Sequence, residues 1–248
     1  MHRFFAPALD PGDDTTALPK DEAEHATRVL RLAAGETVAV FDGRGHEYLA
    51  RIVSAARRDV VVQVLQRAES AAESAVPLTL VQAVLKGEKM DDVVRDAVML
   101  GVAAIQPLVT KRAETTVAQV LTGRLDRWRR VALASVKQSK RAVLPEIRTP
   151  LTLEHYLGEP ASSLAMMLVE PGTGADGRLE PFTRLLNEPP PLDASLIVGP
   201  EGGWVDGEWA AAADRGIRLM TLGHRTLRAD AVAISAVSIL QFLWDCGA

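Results

Sequence analysis

The chain has 248 residues, 48% of them hydrophobic and 24% charged, with a formal net charge of −4. That length bounds the answer to one or two globular domains, and the composition excludes wholesale disorder. A single cysteine, Cys246, excludes an internal disulfide and a cysteine-based zinc site. The five histidines are scattered, so no metal site is expected.

Read in chain order, Asp10, Asp13 and Asp14 follow the N-terminal Met1-His-Arg-Phe-Phe too closely for a cleaved leader, and a cytoplasmic protein is expected. Asp21 to Leu32 is predicted as a helix capped by Asp21 and ended by Gly35. Three β-rich runs follow, Thr37–Phe41, Tyr48–Val53 and Val60–Leu65, separated by turns at Asp42-Gly-Arg-Gly and Arg57-Arg58-Asp59. They are too few for a sandwich and suffice for a small barrel. Gln66 to Pro77, rich in Ala, Ser and Glu, reads as a linker.

Beyond the linker, strands and helices alternate. Strands are predicted at Leu78–Leu85, Ala104–Val109, Leu164–Val169, Ser195–Val198 and Arg218–Leu222. Helices are predicted at Met90–Leu100, Leu121–Ser139, Glu180–Leu186, Asp206–Arg215 and Asp230–Trp244. This alternation predicts an α/β domain, a parallel sheet with helices on both faces. The longest apolar run, Ala231 to Trp244, contains Ser235, Ser238 and Gln241 and reads as a buried helix rather than a membrane span.

The net charge hides a strong asymmetry. Residues 1–70 carry nine Lys/Arg against eleven Asp/Glu, residues 86–148 thirteen against seven, and residues 149–248 six against thirteen. Local potential, not the total, attracts phosphate, so the middle block is the candidate nucleic-acid surface. A solvated helix face is the competing explanation.

Two glycine-bearing turns stand at predicted strand ends: Ser195-Leu-Ile-Val-Gly-Pro-Glu-Gly-Gly-Trp204 and Leu222-Gly-His-Arg-Thr-Leu-Arg-Ala-Asp-Ala231. Neighbouring turns of this kind form a ligand crevice at the carboxyl edge of a parallel sheet. Glycine lets backbone approach the ligand, and Pro200 stiffens the first turn. A further stretch, Gly172-Thr-Gly-Ala-Asp-Gly177, follows the strand Leu164–Val169 and matches the dinucleotide-binding glycine pattern. The helix after it is short and starts late, so a nicotinamide enzyme is the weaker reading.

The two turns resemble the knot loops of the SPOUT methyltransferases, in particular the bacterial ribosomal RNA uridine-N3 methyltransferases, with their G-P-E-G-G and L-G-x-x-I-L-R-x-E-T-A segments. The resemblance extends along the chain. His2-Arg3-Phe4-Phe5, and His25 with Val29-Leu30-Arg31, look like that family's N-terminal PUA-like barrel. Lys86-Gly87-Glu88-Lys89-Met90 is similar to its K-G-x-K-M segment, and Leu100-Gly101-Val102 with Ile105 and Pro107 to its L-G-V-x-x-I-x-P. Arg127-Trp128 and Gln138-Ser139 with Arg141 and Pro145 match its R-W and E-Q-S-x-R…P stretch. The chain departs from the pattern at Met99, Lys137, Asp230 and Ala231, where the family commonly has Glu, Glu, Glu and Thr.

The resemblance implies a PUA-like RNA-binding barrel over residues 1–70 and a SPOUT domain with a C-terminal trefoil knot over 76–248. It implies S-adenosylmethionine as cofactor, a homodimer, and N3-methylation of one uridine in 16S ribosomal RNA or the small ribosomal subunit. A different RNA target and a non-catalytic RNA-binding relative are the alternatives. The cofactor is expected against Gly199, Pro200, Glu201, Gly202, Gly203, Leu222 and Gly223, with Leu168, Val198 and Leu227 as apolar walls. Arg228, Glu201 and Asp230 are the candidate catalytic residues. Glu201 could instead cap the next helix or bind loop amides, and Asp230 could be a helix N-cap. Arg3, Arg31, Lys86, Lys89, Arg127, Arg130, Lys137, Lys140 and Arg141 are the candidate RNA contacts.

Overall fold

The computed structural model describes residues 1–245; Cys246 lies outside the described residues. The chain forms two compact units, residues 1–73 with 136–144, and residues 74–135 with 145–248.

The first unit is built on β1 (Arg3–Phe5), β2 (Thr15–Ala17), α1 (Lys20–Glu24), β3 (Thr37–Phe41), β4 (Glu47–Ala56) and β5 (Asp59–Ala68). The five strands run in the order β1-β3-β4-β5-β2. β1 pairs parallel with β3, and the other pairs are antiparallel. β4 slips register between Leu49 and Ala50 and again between Ile52 and Ser54, the irregularities that bend a small sheet over its own core. Phe4, Leu9, Leu18, Val38, Val40, Ile52, Val60 and Val62 fill that core. β1 and β2 were invisible to periodicity because each has only three residues. The β3–β4 turn demands glycine: Gly43 has φ +79°, and a Cβ there would lie 2.8 Å from the Phe5 ring. Asp42 ties the turn by accepting from the Arg44 and His46 amides.

The helix expected over 21–32 is shorter. α1 begins at Lys20 after Pro19, with Asp21 in its first turn rather than capping it, and a π-helical turn, His25–Val29, replaces its second half. Arg31 then adopts φ +57°, which ends the helix four residues before Gly35. Residues 136–144 also belong to this unit although the sequence placed them in the second. Their backbone explains it: Val143 bridges Gly43 and Arg44, and Ala71 bridges Arg141.

The second unit contains β6 (Leu78–Ala83), α2 (Lys89–Met99), β7 (Ala104–Val109), α3 (Val117–Gln119), most of α4 (Leu125–Ser139), β8 (Glu146–Ile147), β9 (Leu151–Thr152), α5 (Leu153–Tyr156), β10 (Leu164–Leu168), β11 (Glu180–Pro181), β12 (Ala194–Val198), α6 (Asp206–Asp214), β13 (Arg218–Thr221) and α7 (Ala229–Asp245). All its strands are parallel, in the order β11-β13-β10-β12-β6-β7-β8, with β9 also on β7. β12 is buried at every position, as a central strand covered on both faces must be. α7 packs on β12 and α2.

Two predicted helices differ. The one expected over 121–139 is broken at Thr122 and Gly123, whose φ of +146° no continuous helix accommodates. Upstream, a capping box between Thr116 and Gln119 starts a separate short helix. At 180–186, Glu180 and Pro181 form an edge strand on β13, where proline costs no ladder bond, and only a 3₁₀ turn follows.

Candidate functional site

The carboxyl ends of β10, β12 and β13 open into three loops, and between them lies a cleft of about 300 Å³. Its size is at the low end for a small-molecule site. The first turn, Gly199 to Gly203, closes on itself through a hydrogen bond from the Gly203 amide to the Pro200 carbonyl, 2.9 Å. Behind it the Trp204 indole packs against Gly199 and donates from Nε1 to the Leu168 carbonyl, 2.8 Å. A Cβ on Gly199 would sit 3.0 Å from that ring, so the residue is glycine for space rather than for backbone conformation. Trp204 thereby fastens the turn after β12 to the end of β10. Arg112 clamps the turn from outside by donating to the Gly202 carbonyl, 2.7 Å.

Glu201 points into the leading turn of α2. Its carboxylate accepts from the Lys86 amide at 3.2 Å and from Lys89 Nζ at 2.9 Å. Partial burial pushes its pKa up, but the Lys89 hydrogen bond, the backbone amides and the Lys89 charge together hold it below the usual carboxylate value. A carboxylate so stabilised is a weak proton acceptor. This geometry matches the loop-amide role that the sequence left open for Glu201.

The second turn follows β13. Thr221 Oγ1 donates to the Gly223 carbonyl at 3.1 Å, and Gly223 has φ +78°. The chain then enters α7 with Arg228 gripping both oxygens of Asp230, at 3.1 and 2.9 Å. Asp230 is the second residue of that helix and bonds Arg228 rather than serving as the N-cap. The Arg228 side chain remains 70% exposed at the cleft rim.

The third loop, after β10, is pinned. Gly172 donates its amide to Asp176, Thr173 donates to the Glu170 carbonyl, and Ala175 is fully buried in the core of the unit. The last of these glycines, Gly177, lies within a 3₁₀ turn of three residues, Asp176–Arg178. No helix N-terminus is available there for a pyrophosphate, which removes the physical basis of the dinucleotide reading.

Of the residues expected to hold the cofactor, Leu168, Val198, Gly199, Pro200, Glu201, Gly203, Leu222 and Leu227 line the cleft. Gly202 and Gly223 shape the turns without lining it. Arg228 lines it, and Asp230 stands behind Arg228. The sequence missed Glu170, Trp204, Thr221 and Arg225, which also line it. Trp204 was legible in principle, as the large residue next to the glycines it packs on. Lys89, expected at an RNA surface, is instead a cleft residue bonded to Glu201.

The remaining RNA candidates divide by what holds their charge. In the first unit Arg3 is only 10% exposed, pairs with Glu47 and donates to the carbonyls of Val136, Lys137 and Arg141. Lys137 pairs with the buried Glu22, and Arg141, itself buried, with Glu73. These three cations are turned inward to stabilise the unit, which corrects the expectation that they face phosphate. Arg31 and Lys140 are exposed without an acidic partner among the described residues, and both have left-handed backbone, φ +57° and +62°. In the second unit Lys86 pairs with Glu114, and Arg127 with Glu88 and Asp91. Arg130 is exposed and, among the described residues, donates only to the Asp126 carbonyl.

Fold and cleft define a class. The RNA methyltransferase domain family matches residues 72–241, and the RNA methyltransferase PUA domain family residues 18–65. The chain is 32% identical to the ribosomal RNA small subunit methyltransferase E of Synechocystis, over 91% of this chain and 73% of the relative. It is 30% identical to the Mycobacterium tuberculosis protein of the same name, over 99% and 94%. Among solved structures, the Neisseria gonorrhoeae ribosomal RNA small subunit methyltransferase E bound to S-adenosyl methionine superposes with a TM-score of 0.87 at 28% identity, covering 98% of each chain. The chain belongs to the ribosomal RNA small subunit methyltransferase E family.

Proposed function

We propose that this chain is an S-adenosylmethionine-dependent methyltransferase of 16S ribosomal RNA, and that it methylates N3 of a uridine. The observation that carries the reading is the cleft at the carboxyl edge of the parallel sheet. Backbone of the two glycine turns, with Leu168, Val198, Leu222 and Leu227, offers the peptide groups and apolar walls that an adenine needs. The relative bound to S-adenosyl methionine, alike over 98% of both chains, supports the same ligand here.

S-adenosylmethionine supplies an electrophilic methyl group on a sulfonium. The chain's own task is to hold the uracil in line with that methyl and to remove the N3 proton. If the N3 pKa lies ~2 units above the working pH, deprotonation costs about 2.7 kcal/mol. A cation near the base offsets this by stabilising the anion. Arg228 meets the requirement: it lies on the rim, is largely exposed, and is aimed by its bidentate pairing with Asp230. Asp230 is then a positioning residue. Lys89 and Glu201 neutralise each other and hold the first turn on α2.

RNA docking falls to Arg31, Lys140 and Arg130, the candidate cations without an acidic partner among the described residues. The reading includes a homodimer. α7 buries Ala233, Ala236, Val237, Leu240 and Trp244 on one side, yet leaves Phe242 67% and Ile239 37% exposed on the other. Exposed apolar residues on a helix beside the cleft favour a second copy as their cover. The reading also includes threading of the C-terminus into a trefoil knot. β13 pairs on the far side of β10 from β12, and α7 returns to β12 and α2, the arrangement that a threaded end needs. Among the described residues no helix is long and apolar enough to cross a membrane.

Mapping modified uridines in ribosomal RNA from cells with and without the gene tests the reaction. Loss of one N3-methyluridine is expected, and an unchanged map refutes it. Calorimetry with S-adenosylmethionine tests the cofactor, and light scattering at micromolar concentration tests the dimer.

A further inference from the structure

Glu170 is the one acid lining the cleft to which the reading above gives no task. It stands two residues beyond the end of β10, on the loop that Ala175 anchors in the core. Its carboxylate faces the first turn: a Cβ built on Gly203 would lie 3.8 Å from Oε1. Among the described residues nothing bonds or pairs with that carboxylate. The other two acids at the cleft are engaged, Glu201 by Lys89 and Asp230 by Arg228. Glu170 is exposed at the cleft, and an unpaired carboxylate there is open to donors on a ligand.

The topology says which donors. β10 lies between β12 and β13, so the chain leaves its sheet position to one side and returns to the other. Ligands of open parallel sheets bind at such a crevice, and in dinucleotide-binding folds an acid near a strand's carboxyl end bonds the ribose hydroxyls; Glu170 stands at a comparable strand end. Two carboxylate oxygens match two vicinal hydroxyls. The apolar walls and turn backbone take the base, and Arg225 on the opposite loop remains for a ligand carboxylate.

We infer that Glu170 holds the ribose 2′,3′-diol of the adenosyl ligand and sets the selectivity of the cleft for ribonucleosides. This rests on the cofactor reading above. The competing assignments for the same carboxylate are the ligand's α-ammonium group and the proton released from the RNA base.

Calorimetry on the full chain separates them, with S-adenosylmethionine, 5′-methylthioadenosine and 2′-deoxy-5′-methylthioadenosine as probes. Methylthioadenosine keeps the diol and lacks the ammonium. Glu170→Gln is expected to weaken S-adenosylmethionine and methylthioadenosine by the same factor, roughly tenfold. The wild-type chain should bind the deoxy compound about tenfold more weakly than methylthioadenosine, and Glu170→Gln should add nothing to that loss. The deoxy comparison needs no variant and stands even if the substitution disturbs folding. Unchanged methylthioadenosine affinity in Glu170→Gln overturns the assignment: with weakened S-adenosylmethionine it moves Glu170 to the ammonium, and with intact binding but slowed turnover it makes Glu170 a proton acceptor. Wild-type protein that binds neither S-adenosylmethionine nor methylthioadenosine overturns the cofactor reading and this inference with it.

Discussion

Gly199→Ala puts the coupling between the cleft and the core to a quantitative test. The added methyl would meet Trp204 Cε2 at 3.0 Å, Nε1 at 3.1 Å and Cζ2 at 3.4 Å. The indole cannot retreat freely, because Trp204 is only 9% exposed and Nε1 is bonded to the Leu168 carbonyl. Overpacking a filled site costs about 1–3 kcal/mol. Loosening the indole hydrogen bond leaves a buried donor and acceptor poorly paired, for about 1 kcal/mol more. A loss of about 2–4 kcal/mol is therefore expected, or roughly 5–15 °C in the melting temperature of a domain this size. Affinity for S-adenosylmethionine should fall at least tenfold, since the turn backbone that lines the cleft must move. Trp204→Phe removes the indole nitrogen and shortens the ring, so it should cost stability alone yet partly rescue Gly199→Ala. The double variant should be more stable than the summed losses by about 1 kcal/mol or more. Strictly additive losses, or Gly199→Ala with wild-type melting and affinity, would refute the account of this turn.

Four further outcomes are expected. Arg228→Ala should lower the methylation rate by ~10²-fold with cofactor affinity changed less than a few-fold, and near-normal turnover in a single-turnover assay would remove it from the catalytic group. Glu201→Gln should alter the pH dependence of stability. Because the folded pKa of Glu201 is depressed, its contribution is complete above the unfolded value of about 4.3 and is lost as pH falls through the folded one. The variant's deficit in urea unfolding should thus be largest near neutrality and vanish in acid, and a pH-independent deficit contradicts this. Lys137→Met should destabilise by about 3 kcal/mol because it strands the carboxylate of Glu22, whereas adding Glu22→Leu should restore most of the loss; equal losses in both variants would show that the pair is not the cause. Reversing Arg130 and Lys140 to Glu should reduce the salt dependence of RNA binding by roughly two units of slope, and an unaltered slope would leave both as solvated surface.

Most longer elements were legible in the sequence and the shortest were not, although β4 and β5 run well beyond the stretches expected and the helix expected over 121–139 is broken. β3 and β7 fall where alternation and apolar runs put them, and α2, α6 and α7 begin and end within a residue or so of expectation. β1, β2, β8, β9 and β11 span two or three residues each, too few to show a period. The cleft was legible for a different reason. Its glycine turns are local sequence features, and their adjacency follows once the sheet is parallel. What escaped was everything set by partners distant in sequence: Trp204 bonding Leu168, Lys89 bonding Glu201, and Glu170 facing Gly203.

Charge is where local reading failed most clearly, and Lys137 shows why. The basic block at 86–148 was read as one surface because its thirteen cations outnumber its acids. A cation is available to phosphate only if no carboxylate within the chain already holds it. Lys137 meets Glu22, 115 residues away, in a pair whose acid is 5% exposed. Arg3 and Arg141 are likewise held by Glu47 and Glu73. The acid that holds Lys137 belongs to residues 1–70, where the same count showed a slight acidic excess. At Lys137 and Glu22, the cationic excess of one stretch and the acidic excess of the other are the two halves of one ion pair. Glu22 supplies the physical reason that a lysine is accommodated at 137: its charge is matched inside the first unit. Of the candidate RNA contacts, Arg31, Arg130 and Lys140 have no acidic partner among the described residues, and they carry the RNA-docking prediction.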